Sequence, residues 1–390
     1  MLGAGGTIAP AIVRDLGESS EVSHLLLLDL DIDRAQSAAA RHGNGKATAT
    51  AVDARADGAL AARLDGSDVL VNAASYRVNL DAMRAALAAG CHYLDLGGLY
   101  HMTARQLELS DEFERAGLIA LLGIGSAPGK TNLMARVAVR EVVGADLAAA
   151  GGEAIPASPG SPLAGARSAA GNGSIEELCV SAAGRDLDPP PGFSLPYALR
   201  TILDELTLAP IVVRDGGPVA LAPLEPGGSV DFGAEIGVAD TIHTLHSEVL
   251  TFPASFGCRE ASFRLSLAPG VVERVRELAG APAEDVEAAA REVASPSPRT
   301  VAVHLVEARA GERAAVIRAI THPHERWGIG GGVVSTAAPT AAAVRLLARG
   351  ELAARGALPP ERCLEPEPMF AELEARGCRF ETEMREAEPR

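Results

Sequence analysis

Residues 1–125 alternate short apolar runs with segments of helical periodicity, and this alternation constrains the fold more than any other feature of the chain. Strands and helices in such an order are typical of a parallel β-sheet with helices on its faces. The pattern predicts strands over 25–30, 69–73, 93–96 and 118–123, and helices over 34–42 and 80–89. An α/β domain is therefore expected at the N-terminus.

A glycine-rich turn stands at the start of this region, before a helical segment over 10–16. Gly3, Gly5 and Gly6 are followed by Thr7 and Ile8. In a Rossmann-type dinucleotide-binding domain, such glycines allow a tight turn and let the backbone approach a pyrophosphate, while the helix N-terminus supplies N–H groups. Ile8 stands where the third glycine of G-x-G-x-x-G would fall, so the turn alone is also consistent with an ordinary glycine-rich loop.

The spacing of later polar residues favours the dinucleotide interpretation. Asp29 ends the next strand, where an acid would bind the adenosine ribose hydroxyls. Asp53 follows the strand after that, and Asn72, Ala73 and Ala74 close another. Because Asp29 would repel a 2′-phosphate, the sequence favours NAD over NADP, although Arg34 leaves NADP open.

The first strand of this fold is nearly absent from the sequence. A Rossmann first strand needs about five apolar residues before the glycine turn, and only Met1 and Leu2 precede Gly3. That strand is central in the usual order, so its loss would leave neighbours unpaired. We therefore expect the true start of the gene to lie upstream.

Composition narrows the class of protein. The 390 residues suffice for two domains, and the formal charge of −16 argues against nucleic-acid or anionic-membrane partners. The cysteines are scattered and odd in number, which predicts neither disulfides nor a metal site; they are Cys91, Cys179, Cys258, Cys363 and Cys378. With no signal segment and no long apolar run, a cytoplasmic location is expected.

The rest of the chain predicts a second domain. A Gly/Pro/Ser/Ala-rich stretch over 151–173 reads as a linker, and residues 174–330 mix strand-like and helical segments in an α+β pattern. The last sixty or so residues predict helix, including an amphipathic helix over 340–349, followed by a charged, frayed tail after Glu381.

Several motifs resemble the saccharopine dehydrogenase-like family, and together they run over most of the chain. They are Asn72-Ala73-Ala74, the segments 91–98, 123–132, 197–205 and 243–248, and the late segment 326–332. The family includes saccharopine reductases and dehydrogenases, lysine 6-dehydrogenases and carboxynorspermidine dehydrogenases. The chain departs from the family pattern in its short first strand, in Ile8 and in a longer loop over 151–192.

The resemblance implies a doubly wound parallel sheet with an inserted α+β domain and C-terminal helices that return to the first domain. The expected divisions are 1–128 for dinucleotide binding, 129–330 for substrate binding and oligomerisation, and 331–390 for the returning helical segment. It also implies an NAD(P)-dependent oxidoreductase acting on CH–NH or CH–NH₂ donors of an amino acid or amine, or on the imine. A homodimer or larger homo-oligomer is expected.

Amine oxidation needs a proton acceptor near the reacting carbon and a cation for a substrate carboxylate. The candidate catalytic residues are Asp95, Lys130, His243 and His246, of which at most one histidine faces the cleft if their segment is a strand. Gly97 follows Asp95 at a strand end, where a nicotinamide ring could lie close to the backbone. The candidate substrate-binding residues are Tyr76, Arg77, Lys130 and Asn132, with Asn132 alternatively a helix cap.

Other interpretations remain at this point. A short-chain dehydrogenase would need Tyr and Lys four residues apart, and a zinc alcohol dehydrogenase would need a cysteine cluster, and the sequence has neither. Within the amine-oxidising class, lysine 6-dehydrogenase, carboxynorspermidine dehydrogenase and saccharopine dehydrogenase are the specific alternatives. A non-catalytic NAD-binding protein is the alternative from another class.

Overall fold

A computed structural model describes residues 1–144, 175–191, 194–195, 199–293 and 297–387. The predicted linker 151–173 lies outside these residues. The described chain divides into two compact units, the first comprising residues 1–132 and 336–373, and the second comprising residues 133–144, the described part of 175–335, and 374–387.

The regular elements of the described residues are as follows. The strands are β1 (Leu25–Asp29), β2 (Ala47–Ala51), β3 (Val69–Asn72), β4 (His92–Asp95), β5 (Ile119–Leu121), β6 (Glu177–Asp186), β7 (Ile211–Arg214), β8 (Gly217–Ala220), β9 (Pro226–Asp231), β10 (Val238–His243), β11 (Glu260–Ser266), β12 (Thr300–Ala310), β13 (Arg313–Thr321), β14 (Gly356–Leu358) and β15 (Cys378–Glu386). The helices are α1 (Ala9–Glu18), α2 (Ile32–His42), α3 (Asn79–Ala89), α4 (Leu99–Leu107), α5 (Ser110–Arg115), α6 (Lys130–Val143), α7 (Leu199–Thr207), α8 (Glu248–Phe256), α9 (Pro269–Leu278), α10 (Ala283–Glu292), α11 (Gly331–Ala348) and α12 (Pro366–Glu374).

The first unit contains the predicted parallel sheet. β1 pairs with β2, and β3, β4, β5 and β14 form a second parallel group in that order. Met1 and Leu2 lie between the two groups: Leu28 N–H donates to Met1 O at 2.8 Å, and Leu2 N–H donates to Val71 O at 2.8 Å. Two residues thus take the central position of the sheet, whose order is that of a doubly wound Rossmann fold.

Local sequence explains where the early helices begin. Pro10 lies in the first turn of α1, where its missing N–H costs nothing, and the helix buries Ile12, Val13 and Leu16 against the sheet. Asp31 caps α2 by accepting hydrogen bonds from the backbone N–H groups of the second and third helical residues. This cap starts α2 at Ile32, two residues before the predicted boundary.

The chain returns to the first unit through α11, β14 and α12. In α11, the hydroxyl of Thr340 donates to Ile124 O at 2.6 Å, just after β5. β14 then pairs in parallel with β5 along the edge of the sheet. By length and composition α11 could cross a membrane, but 72% of it is buried within the structure, which is typical of a core helix.

The second unit is built on a nine-stranded mixed sheet in the order β15-β13-β12-β6-β11-β10-β9, with β7 on β11 and β8 on β7. Its pairs are antiparallel except for β6 with β11. β11 alternates buried and half-buried positions, so Ala261, Phe263 and Leu265 share one face. The α+β pattern predicted for this part of the chain is confirmed.

The end of the chain corrects one expectation. Residues 331–390 were predicted as a helical segment on the first domain with a frayed end, but 374–387 belong to the second unit, where β15 pairs with β13 along its whole length. Arg379, Glu381, Glu383 and Arg385 occupy alternate positions, a period-2 pattern that suits an edge strand with one charged face. The frayed tail predicted after Glu381 is therefore wrong for the described residues of β15, because an edge strand can carry many charged side chains.

Candidate functional site

The glycine turn of the first unit packs directly against the end of β3. Gly3 has φ +79°, and a Cβ built on it would contact the backbone nitrogen of Ala74 and lie 2.6 Å from its Cα. Gly6 and Thr7 are exposed at the N-terminal end of α1. The turn therefore offers an open backbone surface next to a helix N-terminus, which fits a pyrophosphate.

Asp29 lies beside this turn at the end of β1. Its Oδ2 accepts a hydrogen bond from Gly5 N–H at 2.8 Å and its Oδ1 accepts one from Asp31 N–H at 3.0 Å. A Cβ on Gly5 would lie 2.8 Å from Cβ of Arg34, whose side chain is 70% exposed and pairs with Asp31 at 3.4 Å. The structure thus brings the predicted ribose-binding acid and the phosphate loop together.

The other predicted cofactor residues follow the neighbouring strands. Asp53 is exposed just after β2, and its Oδ1 accepts from Arg55 N–H at 2.9 Å. Ala73 and Ala74 are half-buried after β3, with Ala73 N–H bonded to Leu2 O at 2.9 Å. All of these residues lie at the carboxyl ends of parallel strands, where doubly wound sheets bind ligands.

Asp95 occupies the end of β4, but its environment does not support the predicted catalytic role. Its side chain is 1% exposed. Oδ1 accepts from the N–H groups of Gly97 at 2.9 Å and Gly123 at 2.7 Å, and Oδ2 accepts from Gln106 Nε2 at 2.6 Å and Tyr93 OH at 3.0 Å. Burial raises the pKa of Asp95, and these donors oppose that rise. The Asp95 carboxylate is thus enclosed by hydrogen-bond donors of the protein itself.

Asn79 and Gln106 also belong to the network around Asp95, although the sequence did not single them out. Asn79, the first residue of α3, donates through Nδ2 to Asp95 Oδ2 at 3.2 Å, to Gly97 O at 3.3 Å and to Gln106 Oε1 at 3.2 Å. Its Oδ1 accepts from Asn72 Nδ2 at 2.9 Å. Asn72 is therefore buried in this network, not on the cofactor surface. In the sequence, the only signal for such a residue is a polar side chain on an otherwise apolar helix face. This pattern is common and does not indicate a particular role.

Lys130 and Asn132 begin α6 and are both 1% exposed. Asn132 Oδ1 accepts from Gly129 N–H at 2.7 Å, and its Nδ2 donates to Glu361 Oε2 at 2.7 Å. The third helical residue reaches back to the residue before the helix, as in a capping box, so the alternative of a helix cap fits Asn132 better than substrate binding. Because Lys130 is buried, its side chain is not freely accessible for binding a substrate carboxylate.

Tyr76 and Arg77 lie in a short 3₁₀ turn between β3 and α3. The Arg77 guanidinium carbon is 5.0 Å from the centroid of the Tyr76 ring, a cation–π distance. Arg77 is exposed and Tyr76 half-buried. Of the predicted substrate-binding residues, these two are the ones whose side chains reach solvent.

His243 and His246 belong to the second unit and lie on opposite faces of its sheet. His243 ends β10 opposite Arg264 of β11, while the ring of His246 stacks on the adjacent Phe263 with centroids 3.5 Å apart. Burial lowers the pKa of His243, and nearby arginines add to this effect. The strand ends at His243, and His246 lies three residues beyond it, outside β10.

His246 sits between two buried glutamates. Its Nδ1 lies 3.2 Å from Glu248 Oε2 and its Nε2 lies 4.0 Å from Glu205 Oε1, with all three side chains at most 7% exposed. Burial alone would lower the pKa of His246, but the charge and hydrogen bond of Glu248, with the charge of Glu205, raise it above the ordinary value. Of the two histidines, His246 has a carboxylate that orients it.

We expect this cluster to make stability depend on pH. Because the pKa of His246 is higher in the folded chain than the ordinary 6.5, its contribution is complete below pH 6.5 and is lost as the pH rises through the folded value. The loss should be the size of a hydrogen bond to a charged group, about 1.5–3 kcal/mol. Urea unfolding between about pH 6 and pH 9, which spans the titration of a histidine with a raised pKa, should show a decline that His246→Gln removes.

His243→Gln is the matched control for that measurement. The pKa of His243 is lowered in the folded chain, so its contribution is lost as the pH falls below 6.5, and its replacement should leave the alkaline decline intact. An alkaline decline that survives His246→Gln would contradict the assigned protonation of His246.

No group of three His, Cys, Asp or Glu side chains suited to a metal ion occurs among the described residues.

The glycine turn, the acid at the end of β1 and the loops after β3 and β4 define the first unit as a Rossmann-type dinucleotide-binding domain. Residues 1–121 match the family model of the saccharopine dehydrogenase NADP-binding domain.

Solved structures share the fold of the whole chain. The apo saccharopine dehydrogenase (L-Glu forming) of Saccharomyces cerevisiae aligns with 98% of each chain, at a TM-score of 0.66 and 15% identity. The homospermidine synthase of Legionella pneumophila, solved with NAD, aligns with 98% of this chain and 90% of its own, at a TM-score of 0.69 and 12% identity.

A curated relative matches over a shorter stretch. Carboxyaminopropylagmatine dehydrogenase of Synechocystis sp. is 37% identical over 81 residues, which are 19% of this chain and 20% of that protein. The chain thus aligns with about one fifth of the length of this relative. The predicted resemblance to saccharopine dehydrogenases and the two-domain fold are confirmed.

Proposed function

We propose that the protein is an NAD(P)-dependent oxidoreductase that transfers a hydride between the cofactor and a carbon–nitrogen bond of an amino acid or amine, or of the corresponding imine. The close approach of Gly3 to the backbone of Ala74, beside the N-terminus of α1, carries this proposal. The domain match over residues 1–121 supports it. The names of the similar proteins, a saccharopine dehydrogenase and a carboxyaminopropylagmatine dehydrogenase, favour a substrate with such a bond.

The bound cofactor would supply the acceptor or donor of the hydride, and the chain would supply binding, orientation and proton handling. The backbone at Gly5, Gly6 and Thr7 would bind the pyrophosphate, and Asp29 the adenosine ribose. Exposed Arg77 is the candidate partner of a substrate carboxylate. Within the second unit, His246 is the candidate for proton transfer, because Glu248 Oε2 lies 3.2 Å from its Nδ1.

We propose that NAD is preferred over NADP because three carboxylates lie at the end of β1 and the start of α2, where they would repel a 2′-phosphate. Asp29 lies beside Gly5, and Asp31 and Asp33 flank the start of α2, where Arg34 is already paired with Asp31 at 3.4 Å. Asp29→Asn keeps an acceptor for Gly5 N–H but removes a charge. It should shift the ratio of NADPH to NADH affinity toward NADPH by at least about tenfold, or about 1.4 kcal/mol.

Fluorescence titration with both reduced cofactors measures this ratio. Asp111→Asn removes an exposed charge at the start of α5, away from the glycine turn in sequence, and should leave the ratio unchanged. A ratio that moves equally in both variants would mean that net charge, and not Asp29, sets the preference.

The activity itself is tested by absorbance at 340 nm (the band of reduced nicotinamide). NAD and NADP are each offered with lysine, saccharopine, diamines and amino acids, and the reverse reaction is run with aldehydes plus amines. We expect cofactor reduction with at least one amine. Binding of NADH without turnover of any member of the panel would contradict the dehydrogenase proposal, and absence of NADH binding would contradict the dinucleotide site.

A non-catalytic NAD-binding protein is the second candidate, and the burial of three predicted catalytic residues favours it. Asp95 and Lys130 are 1% exposed and His246 is 6% exposed. Tight NADH binding without turnover would support this candidate. Turnover abolished by Arg77→Ala would exclude it.

A further inference from the structure

Five buried side chains form one hydrogen-bonded network at the carboxyl edge of the first sheet. They are Asn72, Asn79, Tyr93, Asp95 and Gln106, each at most 1% exposed. Asn72 Oδ1 accepts from Ala74 N–H at 3.1 Å, and Asn72 Nδ2 donates to Asn79 Oδ1 at 2.9 Å. Asn79 and Gln106 in turn donate to Asp95.

The network ends on three backbone turns. Ala74 follows β3, and its backbone packs against Gly3 of the glycine turn, where a side chain would leave no room for it. Gly97 follows β4, and its N–H donates to Asp95 at 2.9 Å. Gly123 follows β5, and its N–H donates to the same Oδ1 at 2.7 Å. Each turn is therefore tied to its neighbours by side chains, not only by the sheet.

These turns lie in one half of the dinucleotide-binding fold. A doubly wound sheet consists of two mononucleotide-binding halves. Met1, Leu2, β1 and β2 make the half that carries Asp29, so β3, β4 and β5 make the half that receives the nicotinamide nucleotide. Asp95, Gly97 and Gly123 all belong to this second half.

A contribution to folding stability does not by itself explain why these five buried side chains are polar. A buried carboxylate with amide partners costs desolvation free energy, and apolar side chains of equal volume often serve a core as well. The same unit has an apolar core directly beneath the network, including Leu70, Met83, Leu94 and Phe113 at 0% exposure. The hydrogen bonds of the network converge on Asp95 at the end of β4 and on the turns after β3, β4 and β5.

We propose that Asn79 and Gln106 are positioning residues that act through Asp95 to hold the Gly97 and Gly123 turns against the nicotinamide half of the cofactor. The proposal rests on the dinucleotide site proposed above. Neither side chain touches the cofactor itself, since both are buried below the turns. Their effect should therefore fall on the nicotinamide nucleotide and spare the adenosine half.

Two ligands separate the halves. NADH contains both, whereas ADP-ribose has the adenosine and the pyrophosphate but lacks the nicotinamide. Gln106→Met removes the donor to Asp95 while keeping an unbranched side chain next to Met83, whose Sδ lies 3.4 Å from Gln106 Nε2. Asn79→Asp replaces the donor by a second carboxylate within 3.2 Å of Asp95. For both variants of the full chain, NADH affinity should fall at least about tenfold while ADP-ribose affinity changes by less than about twofold.

Phe113→Leu provides the control for a general loss of stability. Phe113 is buried in the same core, on α5, and is not a member of the network. This variant should lower the urea midpoint without changing the ratio of the two affinities. Restoring an amide by Asn79→Gln in place of Asp should recover part of the NADH affinity.

Each result of the titrations decides the matter. Equal weakening of NADH and ADP-ribose, or unchanged affinity for both in Gln106→Met, would overturn the positioning role. Wild-type protein that binds ADP-ribose but not NADH would also overturn it, because the nicotinamide half would have no site. Wild-type protein that binds neither would overturn the dinucleotide site as well, which distinguishes failure of the proposed function from failure of this inference.

Discussion

Arg345→Met should lower the free energy of unfolding by about 3–5 kcal/mol, the usual effect of removing one partner of a buried ion pair. The guanidinium of Arg345 is 3% exposed, and its NH1 lies 2.9 Å from Asp15 Oδ1. Its NH2 lies 2.9 Å from Glu372 Oε2, in α12. Without the guanidinium, Asp15 would be a buried carboxylate in α1. Urea unfolding at neutral pH measures the loss.

Two control variants give this prediction its specificity. Arg14→Met breaks an ion pair one position earlier on α1, where Arg14 and Glu18 lie 3.4 Å apart and are 30% and 27% exposed, so the loss should stay below about 1 kcal/mol. Asp15→Leu combined with Arg345→Met removes both charges and should recover a large part of the loss. A double variant less stable than Arg345→Met alone would show that packing, not the unpaired charge, sets the effect.

The elements that the sequence predicted well are those whose signal is local. The strand predicted over 25–30 contains four consecutive leucines followed by Asp29, and it appears as β1 (Leu25–Asp29), with Asp29 beside the glycine turn. The helix over 80–89 appears as α3, ended by Gly90 in the left-handed conformation. Periodicity, caps and turn glycines are enough for such elements, because each is specified by neighbouring residues.

The functional roles of polar residues could not be predicted in the same way. Asp95, Gly97 and Gly98 mark a strand end in the sequence, but the donors that enclose Asp95 come from positions as far as 28 residues away, such as Gly123. The sequence suits Asn132 equally to substrate binding and to a helix cap, and its hydrogen bonds with Gly129 N–H and with Glu361, 229 residues later, favour the cap. Burial decides whether a polar side chain binds a ligand or the protein, and burial depends on tertiary contacts.

The same reasoning explains the last residues of the chain. A stretch as charged as 379–386 has little apolar surface of its own, and its charge after Glu381 predicts a frayed tail. As β15 it needs no core of its own, since nine of its residues pair with β13, whose other neighbour is β12. An edge strand of this kind is stabilised by main-chain hydrogen bonds and cross-strand pairs, such as Arg318 with Glu381 at 3.1 Å.

Gly3→Ala should weaken NADH binding at least about 100-fold, or about 2.7 kcal/mol, and should also destabilise the first unit. Two costs combine at this position. A residue with a Cβ at φ +79° is strained by roughly 1–2 kcal/mol, and the new methyl would meet the backbone of Ala74, with Ala73 C only 2.7 Å away. The clash can be relieved only by moving the glycine turn away from β3, which displaces the surface proposed to hold the pyrophosphate. Fluorescence titration and urea unfolding of the same variant measure the two effects.

Gly66→Ala carries the backbone strain without the clash, so the difference between the two variants isolates the effect of the clash. Gly66 has φ +72°, and a Cβ built there meets nothing within 4 Å. We expect this control to lose roughly 1 kcal/mol of stability and to bind NADH as the wild type does. If Gly66→Ala impaired NADH binding as much as Gly3→Ala, the loss would reflect general destabilisation. A Gly3→Ala protein that binds NADH normally would mean that the pyrophosphate does not lie on this turn, and the cofactor would have to be placed elsewhere along the sheet edge.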